Sequence, residues 1–173
     1  MKNQQAFTLI ELVVVMGIIA ILAALAMPAM TEHAMKGLQQ QVDVAFNKAR
    51  ALQPGVTLYF ATQNACPDNT GAAVPGYNIA QNTAYSGLFA NQIDTGGSAT
   101  PDGGCTIDLV FKNHKVHTKL ASKHITAQLF GMDQNVVKWA CFTNVEQSAW
   151  RMIPRQCRFS SAQEAISAQA PES

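Results

Sequence analysis

The sequence predicts an α+β fold in which a long N-terminal helix packs on a four-stranded antiparallel sheet. The first observation is an apolar run at residues 7–30, followed by an amphipathic pattern at residues 31–60. The second is a set of four strand-like stretches between residues 88 and 143, separated by segments rich in turn-forming residues. An antiparallel sheet of this kind buries one face against a helix and leaves the other face toward solvent.

The apolar run has the length and composition of a transmembrane helix. It carries no charged side chain over the 19 residues from Leu12 to Met30. A helix of that length spans about 28 Å, close to the thickness of the hydrocarbon core of a bilayer. Because a stretch in lipid must satisfy its backbone polar groups internally, a helix is the structure that this run can form there. We therefore expect residues 7–30 to form a membrane-spanning helix.

One carboxylate, Glu11, lies near the start of this run and needs a basic partner in lipid. A charge inside a membrane helix costs about 3 kcal/mol, and such groups are usually paired and functional. Only six residues precede the run, and Lys2 is their sole charge. Cleavage between Ala6 and Phe7 would create an amine four residues from Glu11, on the same helix face. The alternative, a plain N-terminal membrane anchor, leaves both Glu11 and the short leader at residues 1–6 unexplained.

The stretch from Ala6 to Leu12 (AFTLIEL) resembles the class III signal of type IV pilins and the related pseudopilins. The resemblance implies that a prepilin peptidase cleaves between Ala6 and Phe7, and that Phe7 becomes the N-methylated first residue of the mature chain. It also implies that Glu11 is the carboxylate used in assembly, and that Pro28 kinks the helix. The fold implied is the type IV pilin fold, with the first half of the helix in the filament core.

The second half of the helix is predicted at residues 31–60. We expect Pro54 and Gly55 to end or kink this helix, and a last turn through Leu58–Phe60 to follow. We expect one helix of about 45–50 residues whose second half packs on the sheet. Its apolar residues recur at spacings of mostly three and four, typical of an amphipathic helix: Ala34, Met35, Leu38, Val42, Ala45, Phe46, Ala49 and Leu52.

A globular domain is predicted at residues 61–158, and it begins with a loop rich in turn-forming residues. We expect Thr95–Gly104 (TGGSATPDGG) to be a second turn-rich loop. Residues 159–173, rich in Ala, Ser and Gln, are predicted to be a flexible tail. Four strands are predicted from runs in which apolar residues partly alternate with polar ones: Leu88–Ile93, Cys105–Phe111, His124–Phe130 and Val136–Thr143.

The four cysteines indicate two disulfides formed in an oxidising compartment. They lack Cys-x-x-Cys spacing, so the common zinc and thioredoxin patterns are absent. Three pairings are possible, and we favour Cys66–Cys105 together with Cys141–Cys157. The second pair matches the C-terminal disulfide loop of type IVa pilins, to which the segments WACFTN and IPRQC of this region are similar. It would close a loop over residues 141–157 and stabilise the fold by about 3 kcal/mol.

A basic run lies between the second and third predicted strands. Removal of the leader leaves the side chains without net charge, yet residues 105–158 carry eight basic and three acidic residues. Lysines that contact phosphates supply sequence-independent binding of DNA, which makes the run a candidate DNA contact. The alternative is a solvated hairpin edge, where lysines prevent unwanted strand pairing. The members of the run are Lys112, Lys115, Lys119 and Lys123.

The sequence contains no arrangement of side chains typical of catalysis, so we expect neither enzymatic activity nor a cofactor. His114 and His117 lie close in sequence, but solvated loop histidines are the preferred interpretation, and we expect no metal site. Some type IVa pilins are O-glycosylated on a C-terminal serine, and the resemblance makes Ser173 the candidate position in this chain.

The resemblance implies a structural function. We expect the main subunit of a type IVa pilus, a filament of many copies of this chain that serves surface adhesion, twitching motility and DNA uptake. The alternatives are a minor pilin that binds DNA for natural transformation and a pseudopilin of a type II secretion system. The partners implied are the prepilin peptidase, the pilus assembly platform, other copies of the chain and DNA. The implied locations are the bacterial inner membrane before assembly and the extracellular pilus afterwards.

Overall fold

The structure, a computed structural model, describes residues 8–134 and 136–169; the side chains of residues 25–34 lie outside that description. The chain divides into two units, Met1–Gly37 and Leu38–Ser173, and each is described by itself. The predicted leader at residues 1–6, the predicted first residue Phe7 and the predicted glycosylation position Ser173 lie outside the described residues.

The first unit consists of the N-terminal part of helix α1, which as a whole spans Leu9–Arg50. Its large apolar side chains from Leu9 to Leu22 are between 50% and 81% exposed in the single chain. Within the part of the chain that the structure describes, no helix is both long enough and apolar enough to cross a membrane. Helix α1 continues past Pro28, whose side chain is not described, so the kink there stays a prediction.

In the second unit, helix α1 turns one apolar face to the core. Val42, Ala45, Phe46 and Ala49 follow helical spacing and are at most 7% exposed. The helix ends at Arg50, and a second helix, α2 (Gln53–Gln63), begins after a break of two residues. The break agrees with the expectation that Pro54 and Gly55 end or kink the helix, but the residues after it form a separate helix of 11 residues and not a last turn. Proline lacks an N–H and is tolerated in the first turn of a helix but not in its interior, so the helix restarts just ahead of Pro54.

The sheet has four antiparallel strands in the order β1-β2-β3-β4, and the predicted α+β fold is confirmed. In the register of the sheet, Ile93 pairs with Leu109, and Leu109 pairs with Ile125. All three side chains are at most 1% exposed, so this row lies in the core between the sheet and the helix. The strands are β1 (Ala90–Thr100), β2 (Gly103–Phe111), β3 (His124–Phe130) and β4 (Lys138–Thr143).

Strand β1 is longer than predicted and includes most of the stretch expected to be a loop. The turn between β1 and β2 contains only Pro101 and Asp102. The glycines that suggested a loop instead pair with β2, since Gly96 faces Thr106 and Gly97 faces Cys105. At Gly97 the backbone has a φ of +99°, and a Cβ atom would lie 2.5 Å from the carbonyl oxygen of Gly104. A glycine is therefore required inside this strand for close backbone approach.

The prediction of a flexible tail from residue 159 is wrong for residues 159–169. A short helix, α3 (Ala162–Ser167), follows strand β4 in this part of the chain. Ala165 of this helix is fully buried against Phe130 and Ala140, and Phe159 packs on the same cluster. The small-residue composition suggested disorder, but small residues also allow a helix to approach a sheet closely. The remaining residues, 170–173, lie outside the description.

Candidate functional site

The candidate assembly carboxylate, Glu11, lies in the first turn of α1 and forms a capping box with Thr8. The Glu11 N–H donates to Oγ1 of Thr8 at 3.4 Å. In return, Oε2 of Glu11 accepts from the Thr8 N–H at 3.3 Å and from the Thr8 hydroxyl at 3.1 Å. These bonds satisfy backbone donors that the start of a helix leaves free. Thr8 was not predicted as a partner, although Thr-x-x-Glu before an apolar run is the signal of such a box.

From residue 12 to residue 24, helix α1 exposes apolar side chains on all of its faces. Every residue from 12 to 24 is exposed in the single chain, and none of them is charged. A helix that is apolar all round is normally covered by other helices or by lipid. This part of α1 is therefore a surface for association, and the only charge described within it is Glu11 at its start.

Two disulfides join the sheet to the segments that flank it. Cys66 is bonded to Cys105 of β2 with a Cα–Cα distance of 5.2 Å, which ties the connection between α2 and β1 to the sheet. Cys141 of β4 is bonded to Cys157 with a Cα–Cα distance of 4.5 Å. Cys105 and Cys157 are fully buried, and the described residues contain no free cysteine.

Residues 112–123, the basic connection, link β2 to β3 and are anchored at both ends. The Lys112 N–H donates to the carbonyl oxygen of Phe89 at 2.9 Å, and the Phe111 N–H donates to that of Lys123 at 2.9 Å. In its middle, Leu120 is fully buried. The basic connection is therefore held to the domain by backbone hydrogen bonds and by one apolar side chain.

The four lysines of the basic connection differ in their surroundings. Lys112 and Lys123, at its two ends, are half-buried, whereas Lys115 and Lys119 are exposed. The Lys119 ammonium donates to Oγ of Ser148 at 2.9 Å, which directs this charge toward the segment after β4. Lys115 has a φ of +61°, a left-handed conformation that places it in a tight bend. The two exposed lysines are therefore those with a free path to an anionic ligand.

The two histidines of the basic connection are occupied by local contacts. Nδ1 of His117 accepts from the Lys119 N–H at 3.3 Å, and Nδ1 of His114 contacts Oδ1 of Asn113. Over residues 8–134 and 136–169, no group of three or more His, Cys, Asp or Glu side chains is placed to hold a metal ion.

Two family models match the sequence of this chain. The prokaryotic N-terminal methylation motif matches residues 1–27, which include Ala6, Phe7 and Glu11. The pilin model, described as a bacterial filament, matches residues 40–158. The chain belongs to the pilin family. As a pilin, it is a structural subunit that assembles with its own copies into an extracellular pilus, and its methylation motif implies processing by a prepilin peptidase.

Three relatives with similar sequences are named as fimbrial proteins or as a type IV major pilin, and each match covers at least 78% of the relative. Fimbrial protein EcpC of Eikenella corrodens is 27% identical over 156 residues, covering 90% of this chain and 91% of the relative. The type IV major pilin protein PilE of Neisseria gonorrhoeae is 27% identical over 147 residues, covering 84% and 78%. Fimbrial protein Q of Moraxella bovis is 29% identical over 168 residues, covering 91% and 99%.

Proposed function

We propose that this pilin is a main subunit of a type IVa pilus and polymerises through its N-terminal helix for surface adhesion, twitching motility and DNA uptake. The observation that carries the proposal is the exposed, uncharged surface of α1 at residues 12–24, which begins directly after the carboxylate of Glu11. A single chain leaves this surface uncovered, and copies of the same helix would cover it in a filament.

Before assembly, the same helix would hold the subunit in the bacterial inner membrane. We propose that residues 1–6 are then removed between Ala6 and Phe7, that the Phe7 amine is methylated, and that the assembly platform transfers the subunit to the filament. The sequence of the apolar run supports this order of events, since it carries no charge from Leu12 to Met30. Pro28 would provide the bend at which the helix adapts to its neighbours.

The proposed register of assembly depends on Glu11. In lipid an unpaired carboxylate and an unpaired amine are both costly, and each costs less when the two groups are paired. The amine of Phe7 on an entering subunit would pair with Glu11 of a subunit already in the filament. In the single chain, Glu11 is bonded only to its own Thr8 within the described residues, so its carboxylate stays accessible for this exchange.

Replacement of Glu11 by Ala tests this proposal. We expect Glu11→Ala to be cleaved and folded normally but to give few surface filaments, because the entering amine has no partner. Thr8→Val is the matched control for helix capping, since it removes the bonding hydroxyl but keeps the carboxylate. Glu146→Ala is a control for loss of an exposed acid outside the helix. The measurement is the yield of sheared filaments, with mass spectrometry of the subunit for cleavage and methylation.

Pilus yield decides between the assembly role and a capping role. A normal filament yield from Glu11→Ala would contradict the pairing. Equal losses from Glu11→Ala and Thr8→Val would indicate that the capping box, and not the amine, accounts for the effect.

A second function, binding of DNA, is favoured by the basic connection. Its exposed Lys115 and Lys119 lie in a region with a net charge of +5 from residue 105 to residue 158. Each phosphate that such a lysine neutralises makes binding more sensitive to salt. The slope of the logarithm of the binding constant against the logarithm of the salt concentration becomes more negative by about 0.9 per phosphate. The half-buried Lys112 and Lys123 would contribute to the same field from the two ends of the connection.

A double variant tests the DNA contact. We expect Lys115→Gln with Lys119→Gln to weaken binding of duplex DNA by sheared filaments and to flatten its salt dependence. Lys48→Gln is the matched control. Lys48 is exposed and belongs to α1, so this variant removes a positive charge outside the basic connection. If filaments of the wild type, of the double variant and of Lys48→Gln bind DNA equally, the basic connection does not bind DNA.

The alternatives of a minor DNA-binding pilin and a type II secretion pseudopilin make different predictions. A main subunit dominates the protein content of sheared filaments, whereas a minor one does not. Loss of transformation with pili intact would support the minor pilin, and loss of protein secretion would support the pseudopilin.

A further inference from the structure

Five large apolar side chains are exposed within the described residues of the second unit, and they fall into two groups. Val44 of α1 and Leu88, just before β1, are 61% and 69% exposed. Leu58 of α2 is 52% exposed, and Val136 and Val137, just before β4, are 43% and 53% exposed. Single exposed apolar side chains are normal on a protein surface, whereas groups of them mark surfaces for association.

The first group borders a groove beside β1, which we call the β1 groove. Its lining includes Val44 and Ala45 of α1, together with Tyr85, Leu88 and Phe89 of the segment that leads into β1. The exposed side chains of Val44 and Leu88 are therefore not scattered, because they line one concave apolar surface between a helix and the start of a strand.

The second group lies beside β4 and forms a surface that we call the β4 patch. Its lining includes Pro54, Leu58 and Ala61 of α2, together with Val137 and with Trp139 of β4. None of the described residues that line it is charged. An apolar partner could therefore cover the β4 patch without burying a charge, which would be costly.

The two surfaces lie at opposite edges of the sheet. The strand order β1-β2-β3-β4 makes β1 and β4 the edge strands, and each surface lies where the chain enters one of them. A contact between two identical patches closes after two copies, whereas a contact between two different patches continues from copy to copy and gives open filaments. A filament subunit needs two different patches that meet different neighbours, and the β1 groove and the β4 patch fulfil this requirement.

We propose that the β4 patch of one copy packs into the β1 groove of the next copy in the pilus. Leu88 of one subunit would contact Val137 of its neighbour, and the contact would remove apolar surface of both from water. The occupant is a second copy because the chain assembles with its own copies and carries both halves of the contact. The inference rests on assembly into a filament but not on the pairing of Glu11, since all of its residues belong to the second unit.

Cross-linking of introduced cysteines in intact sheared filaments tests the contact. The double variant Leu88→Cys with Val137→Cys places one thiol on each side of the proposed interface, and the four native cysteines are occupied in disulfides. A short bifunctional maleimide should convert these filaments into a ladder of covalent oligomers on a denaturing gel. Each single variant should remain monomeric on the gel, because its thiol faces an unmodified side chain of the neighbour.

Leu88→Cys with Ala99→Cys is the matched control, since Ala99 is exposed on β1 and lines neither surface. It should give no ladder, and mass spectrometry should find both native disulfides intact in every variant. A double variant with native disulfides and no ladder, or an equal ladder in the control, would overturn the proposal. Covalent dimers from Leu88→Cys alone would also overturn it, because they indicate contact between identical surfaces.

A second set of variants introduces no thiol. Leu88→Asp and Val137→Asp should each lower the yield of sheared filaments, because a charge would be buried in an apolar contact, whereas Ala99→Asp should leave the yield unchanged. The unfolding temperature of the detergent-solubilised chain should change little in all three, since these side chains are exposed. Normal yields from Leu88→Asp and Val137→Asp would overturn the proposal. A ladder together with a normal yield from Glu11→Ala would support this contact and contradict only the proposed pairing of Glu11.

Discussion

The Thr95 N–H donates a hydrogen bond of 2.8 Å to Oδ1 of Asn69, and both residues are buried. Nδ2 of Asn69 in turn donates to the carbonyl oxygens of Ala80 at 3.0 Å and Ile93 at 3.1 Å. One side chain thus satisfies three backbone groups and holds the connection after α2 against the edge of β1. A polar side chain is retained in the core here because backbone groups without partners would be costly.

We expect Asn69→Ala to lower the free energy of unfolding by about 3 kcal/mol, because it leaves buried backbone groups unpaired. Urea unfolding of the detergent-solubilised chain measures this loss. Asn91→Ala is the matched control: Asn91 is exposed and bonds only to the neighbouring Gln92 within the described residues, so its change should be close to neutral. Comparable losses in the two variants would contradict the role assigned to Asn69.

Removal of the two disulfides should have unequal effects. The pairs Cys66–Cys105 and Cys141–Cys157 are separated by 39 and 16 residues along the chain. Loop-closure entropy predicts a loss of about 4 kcal/mol for the first pair and about 3 kcal/mol for the second when both cysteines are replaced by Ala. Urea unfolding of the two double variants provides the comparison. A larger loss for the shorter loop would show that contacts near Cys141, and not chain entropy, dominate.

The packing of α3 can be tested with two alanines of the C-terminal segment. Ala165 is fully buried, whereas Ala168, just after the helix, is exposed. Ala165→Glu should destabilise the domain by about 3 kcal/mol, since a charge would be buried without a partner, while Ala168→Glu should be nearly neutral. Thermal unfolding and limited proteolysis report the two effects. If both variants behave like the wild type, residues 159–169 do not contribute to the core.

Glu164 makes the stability of this segment depend on pH. The Ser160 N–H donates to the Glu164 carboxylate and has the larger effect, and the Ser160 hydroxyl donates to the same carboxylate. Both bonds hold the pKa of Glu164 below its ordinary value of 4.5. A group whose pKa is lowered by folding contributes stability above its unfolded pKa and loses it as the pH falls through the folded pKa. The wild type should therefore be more stable than Glu164→Gln at neutral pH, and this difference should disappear in acid. A pH-independent difference in unfolding temperature would contradict this assignment.

The periodicity of the sequence was sufficient to predict the helix, three of the strands closely, and the four-stranded sheet. It failed at Gly96 and Gly97, because glycine marks a turn in most contexts, whereas here both lie inside β1 and Gly97 allows the close approach of two strands. It also failed at Ala165, since the tail resembles a disordered segment in composition and its burial depends on Phe130, far away in sequence. The Thr8–Glu11 box could have been read from the sequence. The placement of Leu88 and Val137 at opposite edges of the sheet could not, because it depends on the order of the strands.

The two disulfides also limit how far this chain can be stretched. When a folded chain is pulled at its ends, residues enclosed by a covalent crosslink do not contribute to its extended length. The crosslinks enclose separations of 39 and 16 residues, which at about 3.5 Å per residue correspond to about 190 Å of hidden length. A fibre made of such subunits would yield less under tension in an oxidising environment than under reducing conditions, and single-molecule force spectroscopy would detect the difference as added contour length.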